Sequence, residues 1–198
     1  MSRWSTSLLA ATLHLSASPN PADAGQVTNK GVHLCCGACQ ARAEKALKGI
    51  PGLTKAAVDR NSKVISFFAT NDKTVTAGIA SLAGSGFYGA AVHDKKPVKF
   101  PATGAKPGAR GDAHTLRGLH LCCDACVVGA QKAVETVKGL QAIEIDRKLR
   151  TVKLIGKGIR LDEAIAALRK AGFYAHVRVP KKPKPSRSQP SPSNPGKK

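Results

Sequence analysis

The chain has 198 residues, with 32 Lys+Arg against 12 Asp+Glu and a formal net charge of +20. That length fits one domain or two small ones, and an apolar content of 42% excludes a wholly disordered chain. No apolar run reaches the ~18–20 residues of a membrane span, which excludes a helical transporter.

The charge is unevenly placed. Residues 31–92 carry +4 and residues 118–179 carry +5, while the short stretches 93–117 and 180–198 carry +4 and +6. Half of the excess therefore sits in Pro-, Gly- or Ser-rich segments. Residues 95–112 (KKPVKFPATGAKPGARGD) read as a flexible basic linker, and residues 180–198 as a disordered basic tail with six Lys/Arg and no acid. Neither stretch has the apolar surface to offset the entropy of ordering it. They serve either as solvated spacers or as tethers to a polyanion or anionic surface.

At the N-terminus, Arg3 precedes a modest apolar stretch from Trp4 to Leu15, and Ala22-Asp23-Ala24 has the small-x-small form of a cleavage site. Residues 1–24 are therefore expected to be a secretory signal peptide. The mature chain would then be periplasmic or secreted, and without a functional signal it would be cytoplasmic.

A first unit, 25–94, follows. Residues 26–34 read as extended, and residues 38–48 (ACQARAEKALK) as a helix of strong helix formers with Ala43, Ala46 and Leu47 at helical spacing. Ile50-Pro51-Gly52 ends it. Leu53–Arg60 and Lys63–Ala69 form a hairpin pattern turning at Asn61-Ser62. Residues 73–84 give a second helix, and Tyr88–Val92 a last short strand. A second unit, 113–179, repeats the order near 113–121, 124–137, 140–147, 150–156, 160–171 and 174–179.

The repeat is visible residue by residue. Gly31-Val-His-Leu-Cys-Cys-Gly-Ala-Cys39 recurs as Gly118-Leu-His-Leu-Cys-Cys-Asp-Ala-Cys126, offset by 87. Asp59-Arg60 returns as Asp146-Arg147, and Gly86-Phe87-Tyr88 as Gly172-Phe173-Tyr174. The expected fold class is α+β: two tandem ferredoxin-like βαββαβ domains joined by the linker.

All six cysteines lie in the two CCxxC motifs. Cys36 and Cys39, like Cys123 and Cys126, are spaced i, i+3 where a loop enters a helix, which brings both sulfurs to one side of its first turn. The free N–H groups and dipole of a helix N-terminus favour thiolates there. Paired thiolates suit soft ions such as Cu(I) and Zn(II), and other thiophilic metals. Cys35 and Cys122 offer a third thiolate per site if the loop bends, because neighbouring residues of an extended segment point to opposite sides.

These motifs resemble the heavy-metal-associated domain, the module of copper chaperones, mercury-binding proteins and the N-terminal regions of metal-transporting P-type ATPases. Its Gly-Met-Thr-Cys-x-x-Cys signature lies at the same strand-to-helix loop. Here Leu34 and Leu121 stand at the Met, Cys35 and Cys122 at the Thr, and His33 and His120 at the Gly. The resemblance implies that Cys36, Cys39, Cys123 and Cys126 are metal ligands. It also implies that Phe87 and Phe173 lie beside the metal and shield the site. The partners it implies are metal ions and a metal-transporting membrane protein or another metal-binding domain. His33 and His120 recur in register and are candidates for a supporting role beside the ligands.

Other readings stay open. CxxC could be a dithiol/disulfide couple, the cysteines could be structural, or both motifs could share one zinc. Two sites could bind two ions independently or clamp one ion between them. The βαββαβ order also occurs in RNA-binding modules, but these read bases with exposed aromatics on central strands, and residues 26–34 and 113–121 contain none. Nucleic acid is therefore not the expected partner, and any polyanion binding would be electrostatic. No Ser-His-Asp set, phosphate loop or supported carboxylate pair occurs, so a non-catalytic role is expected.

Overall fold

The computed structural model describes residues 25–177. The expected signal peptide and the basic tail lie outside the described residues.

The first half runs β1 (Gly25–Lys30), α1 (Gly37–Leu47), β2 (Leu53–Asp59), β3 (Val64–Ala69), α2 (Asp72–Gly84) and β4 (Ala90–His93), with a two-residue β5 (Lys96–Pro97) appended. The second half runs β6 (Arg110–Arg117), α3 (Asp124–Val134), β7 (Leu140–Asp146), β8 (Thr151–Arg160), α4 (Leu161–Lys170) and β9 (His176–Val177). The strand orders are β2-β3-β1-β4-β5 and β7-β8-β6-β9, with antiparallel pairing throughout. Each half is therefore an antiparallel sheet with two helices on one face, in the βαββαβ order.

Alternation explains the packing. On β3, Ile65, Phe67 and Ala69 are buried while the residues between them are partly exposed, so one face of the pleat meets the helices. Asn71 caps α2 by accepting the Thr74 N–H at 2.9 Å. Two details differ from the sequence expectation. Helix α3 stops at Val134 rather than 137, because Thr136 and Val137 are β-branched and fit a helix poorly. Strand β8 continues through Arg160 directly into α4, with Asp162 and Glu163 supplying the negative charge favoured in a first helical turn.

Residues 95–112 do not form a flexible linker. Lys96 and Pro97 add β5 to the first sheet, and Arg110–Asp112 begin β6. Between them, Phe100 lies against Tyr88 and Tyr174, with ring centroids 4.6 and 6.3 Å away. Val177 donates its N–H to Thr103 and Leu161 donates to Ala109. Composition misled here: Val98 and Phe100 are few, but they meet an apolar seam that the two halves create together, and the lysines remain exposed.

A short bridge lies at the centre of the contact between the halves. Phe87 and Phe173 pair as an antiparallel bridge. The Tyr88 N–H donates to the Gly172 carbonyl at 3.0 Å, and the Tyr174 N–H to the Gly86 carbonyl at 2.9 Å. Gly86 and Gly172 have φ of +91° and +86°, and a Cβ on either would collide with the backbone nitrogen of His120 or His33 opposite. Only glycine allows that approach. Buried residues of both halves then form one continuous core.

Candidate functional site

The contact between halves sets the two cysteine loops face to face. Cys36 and Cys123 take extended backbone at the N-caps of α1 and α3. Cys39 and Cys126, one turn later, are fully buried. The loop bends enough to bring Cys35 Sγ to 3.5 Å from Cys39 Sγ, and Cys122 Sγ to 3.6 Å from Cys126 Sγ. All six sulfurs therefore converge on one place, joined by contacts of 3.4 to 4.0 Å. Several of these cross the interface: Cys35 to Cys123 at 3.4 Å, Cys36 to Cys122 at 3.7 Å, and Cys39 to Cys122 at 3.5 Å.

The histidines and phenylalanines interlock across the same contact. His33 stacks on Phe173 with centroids 4.2 Å apart, and His120 stacks on Phe87 at 4.4 Å. Each phenylalanine thus backs the histidine of the opposite loop. His33 has ligand atoms within 4.8 Å of Cys35 and Cys126, and His120 of Cys39, Cys122 and Cys126. The Nε2 atoms of both rings are buried without a hydrogen-bond partner among the described residues. An orphaned buried imidazole nitrogen beside thiols is a donor waiting for an ion or a proton.

Crowding sets the electrostatics. Burial and hydrogen bonds to Cys123 and Cys39 push Cys35 up to about 12. Burial, then the contact with Cys39, pushes Cys122 up as well. The contact between Cys39 and Cys126, in which either thiol can donate, is the main cause that moves the two apart, Cys39 below and Cys126 above an ordinary thiol. Cys123 feels burial most, yet the backbone N–H of Cys126 and the surrounding thiols lower it to about 7. Burial lowers His33 and keeps it neutral. A few thiolates form readily, and each makes the next harder to ionise. Soft cations relieve that repulsion, because they bind the deprotonated sulfurs together.

Some supporting residues carried only a faint sequence signal. Arg147 donates to Asp124 Oδ1 at 2.7 Å and to the Cys122 carbonyl at 2.9 Å, and it recurs as Arg60. Arg150 donates to the carbonyls of Leu119, Gly118 and, across the interface, Gly84. Its counterpart in the repeat is Lys63, so no repeat signal marks it.

No protein-family model matches the chain, and no curated protein matches it. Among solved structures it is similar to the N-terminal soluble domains of Bacillus subtilis CopA, at 20% identity, 77% of this chain, 92% of that one and a TM-score of 0.30. It is also similar to oxidized MerP from Ralstonia metallidurans CH34, at 20% identity over 36% of this chain and 100% of that one, with a TM-score of 0.32. A third is the apo form of the HMA domain of the copper chaperone for superoxide dismutase, at 21% identity, 48% and 98% coverage and a TM-score of 0.31.

Proposed function

We propose that this protein is a non-catalytic binder of soft metal ions, Cu(I) foremost and Zn(II) next, acting outside the cytosol as a carrier, scavenger or sensor. One observation carries the reading: six thiols and two buried, unpartnered imidazole nitrogens converge on a single place between two helix N-termini. Sulfur and imidazole donors without a carboxylate among them favour Cu(I) and Zn(II) over hard ions. Among the described residues no helix is long and apolar enough to cross a membrane, so the proposed role is delivery to a metal-transporting membrane protein or another metal-binding domain. Exposed Cys35 gives an incoming thiolate its first point of exchange, while buried Cys39 and Cys126 hold the ion longest.

Anaerobic titration of the reduced full chain with Cu(I), and separately with Zn(II), tests this. Tight binding that falls at least tenfold on the double substitution Cys39→Ser/Cys126→Ser is expected. Absence of tight binding by the unaltered chain overturns the proposal. A second reading, thiol–disulfide exchange, draws support from Cys123, whose thiol at about 7 is partly ionised at neutral pH. A measured dithiol/disulfide potential together with a reductase assay decides between them.

A further inference from the structure

We infer that the two motifs bind metal crosswise: each CxxC pair is completed by the extra cysteine of the opposite loop. This forms two three-thiolate sites for soft ions, Cys36/Cys39/Cys122 and Cys123/Cys126/Cys35. The inference rests on the soft-metal reading above and specifies how that metal is held.

The sulfur geometry is the first support. In one trio the edges are 3.6 Å (Cys36–Cys39), 3.5 Å (Cys39–Cys122) and 3.7 Å (Cys36–Cys122). In the other they are 3.6 Å (Cys123–Cys126), 3.5 Å (Cys35–Cys126) and 3.4 Å (Cys35–Cys123). The two trios use every sulfur once and exchange under the 87-residue repeat. A local trio such as Cys35/Cys36/Cys39 closes less well. Among the described residues no hydrogen-bond-range contact joins Cys35 to Cys36 or Cys122 to Cys123, since side chains of adjacent residues in extended backbone diverge. An ion with metal–sulfur bonds of about 2.3 Å at the centre of a triangle needs sulfur–sulfur edges of about 4 Å. Each crosswise trio reaches that by opening a few tenths of an ångström.

The histidines add a second support, chiefly through His33, which lies beside Cys35 and Cys126 of one crosswise trio, while His120 lies beside Cys39 and Cys122 of the other and also beside Cys126. Each trio therefore has an imidazole beside it whose buried Nε2 has no hydrogen-bond partner among the described residues, stacked on the phenylalanine across the interface. The structure also accounts for the doubled cysteine in each motif. Cys35 and Cys122 each reach one sulfur of their own loop, Cys39 at 3.5 Å and Cys126 at 3.6 Å, and both sulfurs of the other loop's pair. Binding is an exchange of thiol protons for a metal ion and changes no oxidation state. Because each ion bonds to both halves, metal occupancy and docking of the halves are linked.

Paired substitutions separate the two arrangements in the full chain. Cu(I) is added anaerobically, loosely held metal is removed with a competing chelator, and the remaining ions are counted and their sulfur number read by X-ray absorption. The unaltered chain is expected to keep two ions, each with three sulfurs. Cys35→Ser/Cys123→Ser damages one crosswise site and should keep one three-sulfur ion. Cys35→Ser/Cys36→Ser damages both and should keep none. If Cys35→Ser/Cys36→Ser keeps one three-sulfur ion and Cys35→Ser/Cys123→Ser keeps none, binding is local and the inference is overturned. Equal losses in both variants, as one undivided cluster would give, also overturn it. Should the double variants misfold, Cys35→Ser alone suffices, since Cys35 is exposed. With one equivalent of Cu(I), alkylation should spare Cys36, Cys39 and Cys122 and label Cys123 and Cys126. Protection of Cys122, Cys123 and Cys126 instead overturns the crosswise assignment. Failure of the unaltered chain to bind Cu(I) is a different result, which removes the metal reading itself.

Discussion

At Cys36 and at Cys123 the chain enters its helix with nearly the same dihedrals, φ −150° and ψ 173° against φ −147° and ψ 174°, but the surroundings differ. In the second loop the Arg147 guanidinium ties Asp124 to the Cys122 carbonyl, and Arg150 holds the carbonyls of Gly118 and Leu119. In the first loop Gly37 stands where Asp124 does. Lys63, at φ +56° where Arg150 has +55°, contributes its backbone carbonyl, which accepts the Val32 N–H at 3.1 Å. The backbone that positions the sulfurs is thus shared, while the polar clamp belongs to one half. The second loop is therefore the more preorganised of the two, and the first the freer.

The largest expected effect breaks both halves at once. Gly86→Ala and Gly172→Ala each put a Cβ into the backbone of the opposite loop and strain a left-handed residue. Each should destabilise the chain by about 3 kcal/mol or more in urea unfolding. Each should also suppress the Cys35–Cys123 disulfide that mild oxidation of the unaltered chain would trap. Equal losses confirm that the contact is symmetric, whereas a silent Gly86→Ala would show that the halves do not meet there. Next comes Phe87→Ala, and separately Phe173→Ala. Removing a fully buried phenylalanine costs about 3–5 kcal/mol. The discriminating readout is the imidazole NMR signal: Phe87→Ala should shift His120, and Phe173→Ala should shift His33. The opposite pattern would disprove the crossed stacking.

These residues show what the sequence could and could not reveal. Helix and strand positions were legible because the 3.6 and 2 residue periods, Ile50-Pro51-Gly52 and the repeat all agree. The six cysteines were legible because they are the only ones. Gly-Phe-Tyr was visible as a repeated triplet, but its purpose was not, since what it touches lies 86 residues away. The same blindness applies to Phe100, an isolated aromatic in a basic, Pro-rich stretch. Its burial depends on a seam that exists only once the halves have docked. A one-dimensional pattern reports local periodicity, and the convergence of the two loops is a tertiary fact.

A smaller effect comes from pH. Cys35, pushed up to about 12, and Cys122 and Cys126, also pushed up, carry protons at neutral pH. Metal must displace those protons, so apparent affinity should rise with pH, by up to about tenfold per pH unit for each proton released. Cys123, at about 7, stops contributing above that pH because it is already ionised. Fold stability follows a separate sign. Burial depresses His33 below its ordinary 6.5, so the unfolded chain takes up that proton first. Its contribution is present above pH 6.5 and is lost as pH falls through the lower folded value. Competition with a chelator at several pH values, and urea unfolding of the metal-free chain, check the two signs. A flat affinity profile would mean the raised thiols do not ligate.

The smallest effect sharpens the comparison most directly. Asp124→Gly makes the second loop chemically like the first. Its carboxylate is almost wholly exposed, with a side-chain relative accessibility of 92%, so the loss in stability should stay within about 1 kcal/mol, as for other surface ion pairs. The kinetic consequence is larger than the thermodynamic one. Without Asp124, Arg147 keeps one bond to the Cys122 carbonyl, the loop gains freedom, and exchange at the crosswise site to which it gives two thiolates, Cys123/Cys126/Cys35, should approach the rate at Cys36/Cys39/Cys122. Chelator-driven metal release should then change from two phases to one. Gly37→Asp is the mirror experiment: Arg60 lies 3.8 Å from where a Cβ at position 37 would stand, so the arginine needed for the missing clamp is already in place. Slower release from the first loop in that variant would show that preorganisation, and not the thiolates themselves, separates the two halves. Two unchanged phases in both variants would place the asymmetry elsewhere, with Arg150 the next residue to test.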